Sequence, residues 1–141
     1  MQHYDCLVLG VGAVGSSALW HLARRGLRVL GLDRFPPGHD RGSSHGTTRM
    51  IRQAYFEHPD YVPLVLRSYQ QWHELEQSAK RSLYVETGLL QIGPPQGVVV
   101  PGVLASAERH RLEVELLPKD SGAQRFPTFR IPAEMSAVFE P

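Results

Sequence analysis

The run from Tyr4 to Asp33, YDCLVLGVGAVGSSALWHLARRGLRVLGLD, decides the fold. Its first part, YDCLVLG (4–10), is apolar and β-favouring and ends in glycine, so it reads as a buried strand. SSALWHLARRG (16–26) follows, with Ala18, Leu19, Leu22 and Ala23 on one helical face and Gly26 as a stop just past the helix. LRVLGLD (27–33) is a second buried strand. Strand, helix and strand within about 30 residues make a βαβ unit with a right-handed crossover.

Between the first strand and the helix stand Gly10, Gly12 and Gly15, in the order GxGxxG. The first glycine permits the tight turn, the second lets backbone approach a pyrophosphate, and the third lets helix and strand pack closely. The helix N-terminus offers free N–H groups and a partial positive charge to phosphates. Asp33 closes the second strand about 20 residues further on, where a carboxylate accepts hydrogen bonds from both ribose hydroxyls. A lone GxGxxG is weak evidence. Here strand, glycines, helix and acid occur together, which points to a bound dinucleotide. The acid disfavours a 2′-phosphate, so FAD or NAD is expected rather than NADP, and this motif does not choose between those two.

Composition bounds the rest. The chain has 141 residues, 42% hydrophobic and 21% charged, as expected of one ordinary globular domain. A formal net charge of +1 gives no bulk basicity for nucleic acid. The seven histidines are scattered, and the single cysteine, Cys6, allows neither a disulfide framework nor a cysteine zinc site, so no metal is expected. Cys6 reads as a buried, inert thiol. The uncharged run Cys6–Trp20 lacks a basic flank and is interrupted by glycine and serine, unlike a signal core, and it is too short and too glycine-rich to span a bilayer. A cytoplasmic protein with no membrane association is expected.

FPPGHDRGSSHG (35–46) is loop, and helical character is expected to resume near Thr47 or Thr48. YVPLVLRSYQQWHELEQSAKR (61–81) is the clearest amphipathic helix, with Val62, Leu66, Tyr69, Trp72, Leu75 and Ala79 on one face. GLLQIG (88–93) reads as a strand, 94–101 as a loop, VLASAERHR (103–111) as a helix and LEVELL (112–117) as a strand. DSGAQRFP (120–127) reads as a short irregular helix ending at Pro127, and MSAVFEP (135–141) as a strand. Trp20, Tyr69, Trp72 and Phe126 are assigned to the core.

RGSSHGTTRMIRQAY (41–55) holds three arginines and no acid; the nearest acids are Asp40 and Glu57. A helix from Thr47 would put Arg49 and Arg52 on one face without an acid one turn away. The small residues around them let donors come close to a ligand, as an ordinary solvated helix face does not require. Arg41 reads as an unpartnered loop residue.

The order of these motifs (the glycine fingerprint with Asp33, then GSSHGTTRMIRQAY, YVPLVLRSYQQWHELE, TGLLQIG and RFP) resembles the monomeric sarcosine oxidase and N-methyl-tryptophan oxidase family, FAD-dependent amine oxidases related to D-amino-acid oxidase. The resemblance runs from about Tyr4 to the end. It implies an α/β fold, a Rossmann-like βαβ FAD-binding domain followed by the start of an α+β substrate domain, divided as 1–83 and 84–141 and incomplete at the C-terminus. It implies FAD, with Ser43, Ser44, His45, Thr48 and Arg49 lining the flavin site and Arg49 near the isoalloxazine ring. Arg52 would pair with the carboxylate of an amino-acid substrate, and Tyr55 with the following FEHPD would border the substrate entrance. His45, Arg49 and Arg52 are then the residues closest to the chemistry.

The implied reaction is oxidation of a secondary amino acid to an imine, with oxygen reduced to hydrogen peroxide, in a full-length protein expected to be monomeric. A fixed cation stabilises negative charge on reduced flavin, and a guanidinium grips a carboxylate bidentately. The family's flavin-linking cysteine lies downstream, so Cys6 does not carry that role. Two other readings stand beside it: a truncated, non-catalytic fragment with weak nucleotide binding or none, and an NAD-dependent dehydrogenase.

Overall fold

The computed structural model describes residues 2–118 and 121–141. The protein is α/β and falls into two compact units, one up to Arg49 and one over Met50–Pro141. In the first, strand β1 (Cys6–Leu9) pairs in parallel with β2 (Val29–Leu32), in the register Cys6 to Val29 through Leu9 to Leu32. Helix α1 (Ala13–Arg24) connects them, as the sequence predicts. Gly26, with φ +82°, turns the chain back after α1. The predicted elements are therefore present: each strand is shorter than its motif by one or two residues at either end, and α1 starts three residues before Ser16 and stops two before Gly26. None of the described residues 2–49 is buried. Leu7, Leu9 and Leu32 are exposed, and Cys6 is half-buried rather than enclosed.

The second unit begins without the helix expected at Thr47. Residues 47–58 are irregular. Gly46 has φ +109°. The N–H groups of Gln53 and Ala54, which a helix would direct to carbonyls one turn back, donate instead to the Glu140 carboxylate at 2.7 and 2.8 Å. Arg49 and Arg52 consequently share no helical face and belong to different units.

After a 3-10 turn at Pro59–Tyr61 comes α2 (Val62–Ala79). It ends at Lys80, in the left-handed conformation at φ 50°. Val62 is fully buried, whereas Leu66, assigned to the inner face, is exposed. Strand β3 (Leu89–Gly93) precedes α3 (Val99–His110), which starts four residues before the predicted helix. Pro101 falls in its first turn, where a missing N–H costs nothing, so the proline-containing stretch read as loop is helical from Val99. Strand β4 (Glu115–Leu117), helix α4 (Ser121–Arg125) and β5 (Ser136–Glu140) complete the unit. Asp120, the first residue of the predicted short helix, lies outside the described residues. The antiparallel sheet has the order β3-β5-β4, with Gln91 opposite Val138 and Leu89 opposite Glu140.

The core of this unit is built from small side chains: Ala54, Val100, Val103 and Val138, flanked by Phe56, Leu104, Leu112 and Val114. Tyr69, Trp72 and Phe126, expected inside, are only half-buried, as is Trp20 in the first unit. Their large rings lie at the edges, where Tyr69 meets Tyr84 edge-on at 5.4 Å and Phe126 meets Phe139 at 5.3 Å.

Candidate cofactor and substrate sites

In the first unit the glycine turn is held from both ends. Gly10 N–H donates to the Leu32 carbonyl at 2.8 Å, which ties the turn to β2. Gly10 has φ +86°, a conformation that side chains disfavour. A Cβ on Gly15 would stand 1.8 Å from the Gly10 carbonyl oxygen, so helix and turn meet with no room for a methyl group. These are the steric demands expected of the first and third glycines.

Asp33 does more than end β2. Its Oδ2 accepts the Val11 N–H at 2.6 Å and its Oδ1 accepts the Phe35 N–H at 3.2 Å. Those N–H groups, Val11 first, hold its carboxyl below the ordinary value of 3.8, and His39, 3.6 Å away, acts in the same direction. The Arg34 N–H acts on the same carboxylate, and with about four lone-pair sites some acceptor capacity is left beside these three N–H groups. The predicted residue also joins the glycine turn to the start of the following loop.

Ser44 reaches the same place from that loop. Its Oγ accepts the Ala13 N–H at 3.0 Å, at the first turn of α1, and a Cβ on Gly12 would meet this oxygen at 3.2 Å. The structure thus brings Gly10, Gly12, Gly15, Asp33 and Ser44 together around one helix N-terminus. Arg49 folds back on the same loop, its guanidinium donating to the Ser43 carbonyl. The His45 ring bonds the Gly42 carbonyl through Nδ1 at 2.6 Å, and Ser43, His45, Thr48 and Arg49 all lie open to solvent. Arg41 is not without a partner: its guanidinium lies 4.9 Å from the centre of the Phe35 ring. The glycine turn that excludes side chains, the carboxylate with spare acceptors and the hydroxyl at the helix end fit an adenine dinucleotide.

Arg52 belongs to the second unit and is differently placed. Its guanidinium lies against the rings of Tyr55 and Phe56, at 4.4 and 4.5 Å from their centres, and donates to Glu57. The acid-free surroundings expected from the sequence are therefore closed by Glu57, five residues on. Arg52 Nε is enclosed and meets no acceptor among the described residues. Tyr55 is half-buried and packs against Tyr61 at 5.6 Å. Sequence reasoning missed Glu57 as an ion-pair partner and Glu140 as a buried acceptor. Glu57 was visible as the nearest acid, whereas no local signal marks Glu140.

Near the end of α2, Glu76 accepts the N–H groups of Leu83 and Tyr84 at 2.7 and 2.9 Å, which lower its pKa. Burial, followed by the hydrogen bond to Tyr84, pushes the Tyr69 phenol well above its ordinary value. Tyr69 thus stays protonated at neutral pH. Among the described residues no group of side chains could hold a metal ion, and no helix is long and apolar enough to cross a membrane.

A βαβ unit with this turn and this acid defines a dinucleotide-binding protein. Residues 5–141 match the family described as DAO, FAD dependent oxidoreductase, and the chain belongs to that family. It is 45% identical over 137 residues to a monomeric sarcosine oxidase of Streptomyces avermitilis, covering 97% of this chain and 36% of that protein. It is 39% identical over 137 residues to an N-methyl-L-tryptophan oxidase of Salmonella arizonae, covering 97% and 37%. Among solved structures, the open form of NikD, an unusual amino acid oxidase essential for nikkomycin biosynthesis, aligns with a TM-score of 0.83 at 30% identity, covering 100% of this chain and 37% of that one. An L-proline dehydrogenase from P. horikoshii shares the fold, with a TM-score of 0.77 at 20% identity, over 99% of this chain and 37% of that one. The chain spans a little over a third of the length of these relatives. The family's dependence on FAD decides between the two dinucleotides that the fingerprint left open.

Proposed function

We propose that this chain supplies the nucleotide cradle and the substrate-carboxylate grip of an FAD-dependent oxidase of secondary amino acids, of the sarcosine or N-methyl-amino-acid type. Gly10, Gly12, Gly15, Asp33 and Ser44 would hold the adenosine and pyrophosphate part, and Ser43, His45, Thr48 and Arg49 would line the flavin part. FAD held there would supply two-electron redox chemistry, by which the amine would be oxidised to an imine and oxygen reduced to hydrogen peroxide.

Arg52 would bind the substrate carboxylate, and Tyr55 would border its path of entry. The observation that carries this reading is the state of Arg52. Two aromatic rings confine its guanidinium, and Nε is an enclosed donor with no acceptor. The rest of the side chain is partly exposed, so an incoming carboxylate can compete there with Glu57 for the guanidinium. Contact with two rings also limits the orientations open to the guanidinium, and with them those of a bound carboxylate and its N–Cα bond.

The test is Arg52→Met in the flavin-loaded enzyme. KM for the amino-acid substrate should rise roughly a hundredfold, the scale of removing one partner of a desolvated charge pair. An unchanged KM would refute the role. The functional division at 83/84, the monomeric state and the cytoplasmic location belong to the same proposal. Limited proteolysis, sedimentation and cell fractionation check them in turn.

A second reading, a non-catalytic piece that binds nucleotide weakly or not at all, draws support from one observation: the βαβ unit buries no residue and exposes Leu7, Leu9 and Leu32. Purification separates the two. Yellow protein with a flavin spectrum supports the first reading, and colourless, aggregated protein supports the second.

A further inference from the structure

We propose that Glu140 is a positioning residue for Arg52, with its carboxylate clamping the backbone next to the arginine in the geometry that receives the substrate carboxylate. This rests on the reading of Arg52 as the carboxylate ligand and deepens it. Glu140 is 5% exposed, at the very end of β5, and makes no ion pair among the described residues. A buried carboxylate without a cation is costly unless strong donors satisfy it. Here the donors are two consecutive backbone N–H groups, Gln53 to Oε1 at 2.7 Å and Ala54 to Oε2 at 2.8 Å. One oxygen serves each N–H, so both oxygens are engaged. The clamp begins at the residue after Arg52.

Two further contacts hold the same segment. Ser106 on α3, fully buried, donates its hydroxyl to the Tyr55 carbonyl. Gly102, one turn earlier on α3, lets the Phe56 backbone lie directly on the helix: a Cβ there would stand 2.2 Å from the Phe56 carbonyl oxygen. Residues 53–56 are thus fixed at the two N–H groups of Gln53 and Ala54, at one carbonyl and by one close approach, and their side chains Tyr55 and Phe56 form the walls around the Arg52 guanidinium. Within the segment the Tyr55 N–H donates to the Gln53 carbonyl at 2.9 Å, and the contacts from Glu140, Ser106 and Gly102 hold that turn from outside. Glu140 contributes the only charge among them, from 86 residues away in sequence.

The experiment uses the flavin-loaded enzyme and titrates it with a simple carboxylate, acetate, following the flavin absorbance. Glu140→Gln keeps the size but turns one acceptor into a donor facing an N–H. It should weaken acetate binding about tenfold, as expected for losing a charge-assisted hydrogen bond, with flavin content unchanged. Glu140→Asp, which keeps both acceptors, should recover part of that affinity. In an Arg52→Met background, Glu140→Gln should cause no further loss of acetate affinity, because the clamp acts through the arginine.

If Arg52→Met weakens acetate binding but Glu140→Gln leaves it within about twofold, a change worth only some tenths of a kcal/mol, the inference is overturned while the reading of Arg52 stands. An undiminished effect of Glu140→Gln in the Arg52→Met background also overturns it, since the carboxylate would then act elsewhere. An Arg52→Met variant with unchanged affinity removes the reading of Arg52 and the inference with it. Should Glu140→Gln yield no soluble protein, Ser106→Ala, which frees the Tyr55 carbonyl, takes its place in the same cycle. It should weaken acetate binding about threefold, and only when Arg52 is present.

Discussion

The two units of this chain hold their functional residues by different means. Up to Arg49, among the described residues, nothing is buried, and the glycine turn is kept in shape by backbone bonds, one carboxylate and one serine hydroxyl. From Met50 onward a core of Ala54, Val100, Val103 and Val138 closes beneath an irregular segment that a buried glutamate pins down. A nucleotide site can be specified by local geometry, because phosphates are recognised by backbone N–H groups that the turn itself aligns. A side-chain grip such as the one proposed for Arg52 needs a rigid floor, because a guanidinium reaches a ligand through several rotatable bonds.

The largest expected effect that could break this contrast lies in the first unit. Gly15→Ala puts a methyl group on the Gly10 carbonyl oxygen, and either the turn or α1 must move. We expect a loss of roughly 3 kcal/mol or more and of bound flavin, read from denaturant midpoints and the visible spectrum of the purified protein. Retention of flavin at wild-type levels would mean that the turn is not held by close packing.

A matched pair of truncations sharpens the comparison. Val103→Ala opens a cavity in the second unit and should cost about 2 kcal/mol by thermal or chemical unfolding. Leu9→Ala, at a strand residue that is 79% exposed, should stay within about 0.5 kcal/mol. Equal costs would show that the β1–β2 sheet is covered in the protein as it works.

The smallest effect is electrostatic. The Val11 and Phe35 N–H groups hold the Asp33 carboxyl below its ordinary value, so its contribution is present above 3.8 and is lost as the pH falls through the depressed value. The difference in melting temperature between wild type and Asp33→Asn should be constant at neutral pH and shrink on acidification below 3.8. A difference that grows on acidification would reverse the sign of this linkage.

Legibility in the sequence follows the same division. Gly10, Gly15 and Asp33 could be placed because each requirement is local: a positive φ, a missing Cβ, an acid at a strand end. Strands β3 and β5 were readable from apolar runs bounded by turn residues. The helix expected from Thr47 failed because the N–H groups of Gln53 and Ala54 are claimed by Glu140, a contact no local pattern encodes. The aromatic core failed for a related reason: α3 lies so close to the 54–56 backbone that small residues are required at the centre, and the large rings are left at the edges. Arg52 was legible as a cation in need of an anion. Its engagement with Glu57 depends on how the irregular segment folds back on itself.

The most direct test of the central claim is oxygen consumption by the flavin-loaded enzyme with sarcosine and with dimethylamine, which lacks the carboxylate. One hydrogen peroxide per oxygen consumed is expected with sarcosine, and kcat/KM lower by at least about a hundredfold with dimethylamine, which offers Arg52 no carboxylate. Comparable kcat/KM for the two amines, or turnover that reduces NAD without consuming oxygen, would contradict it.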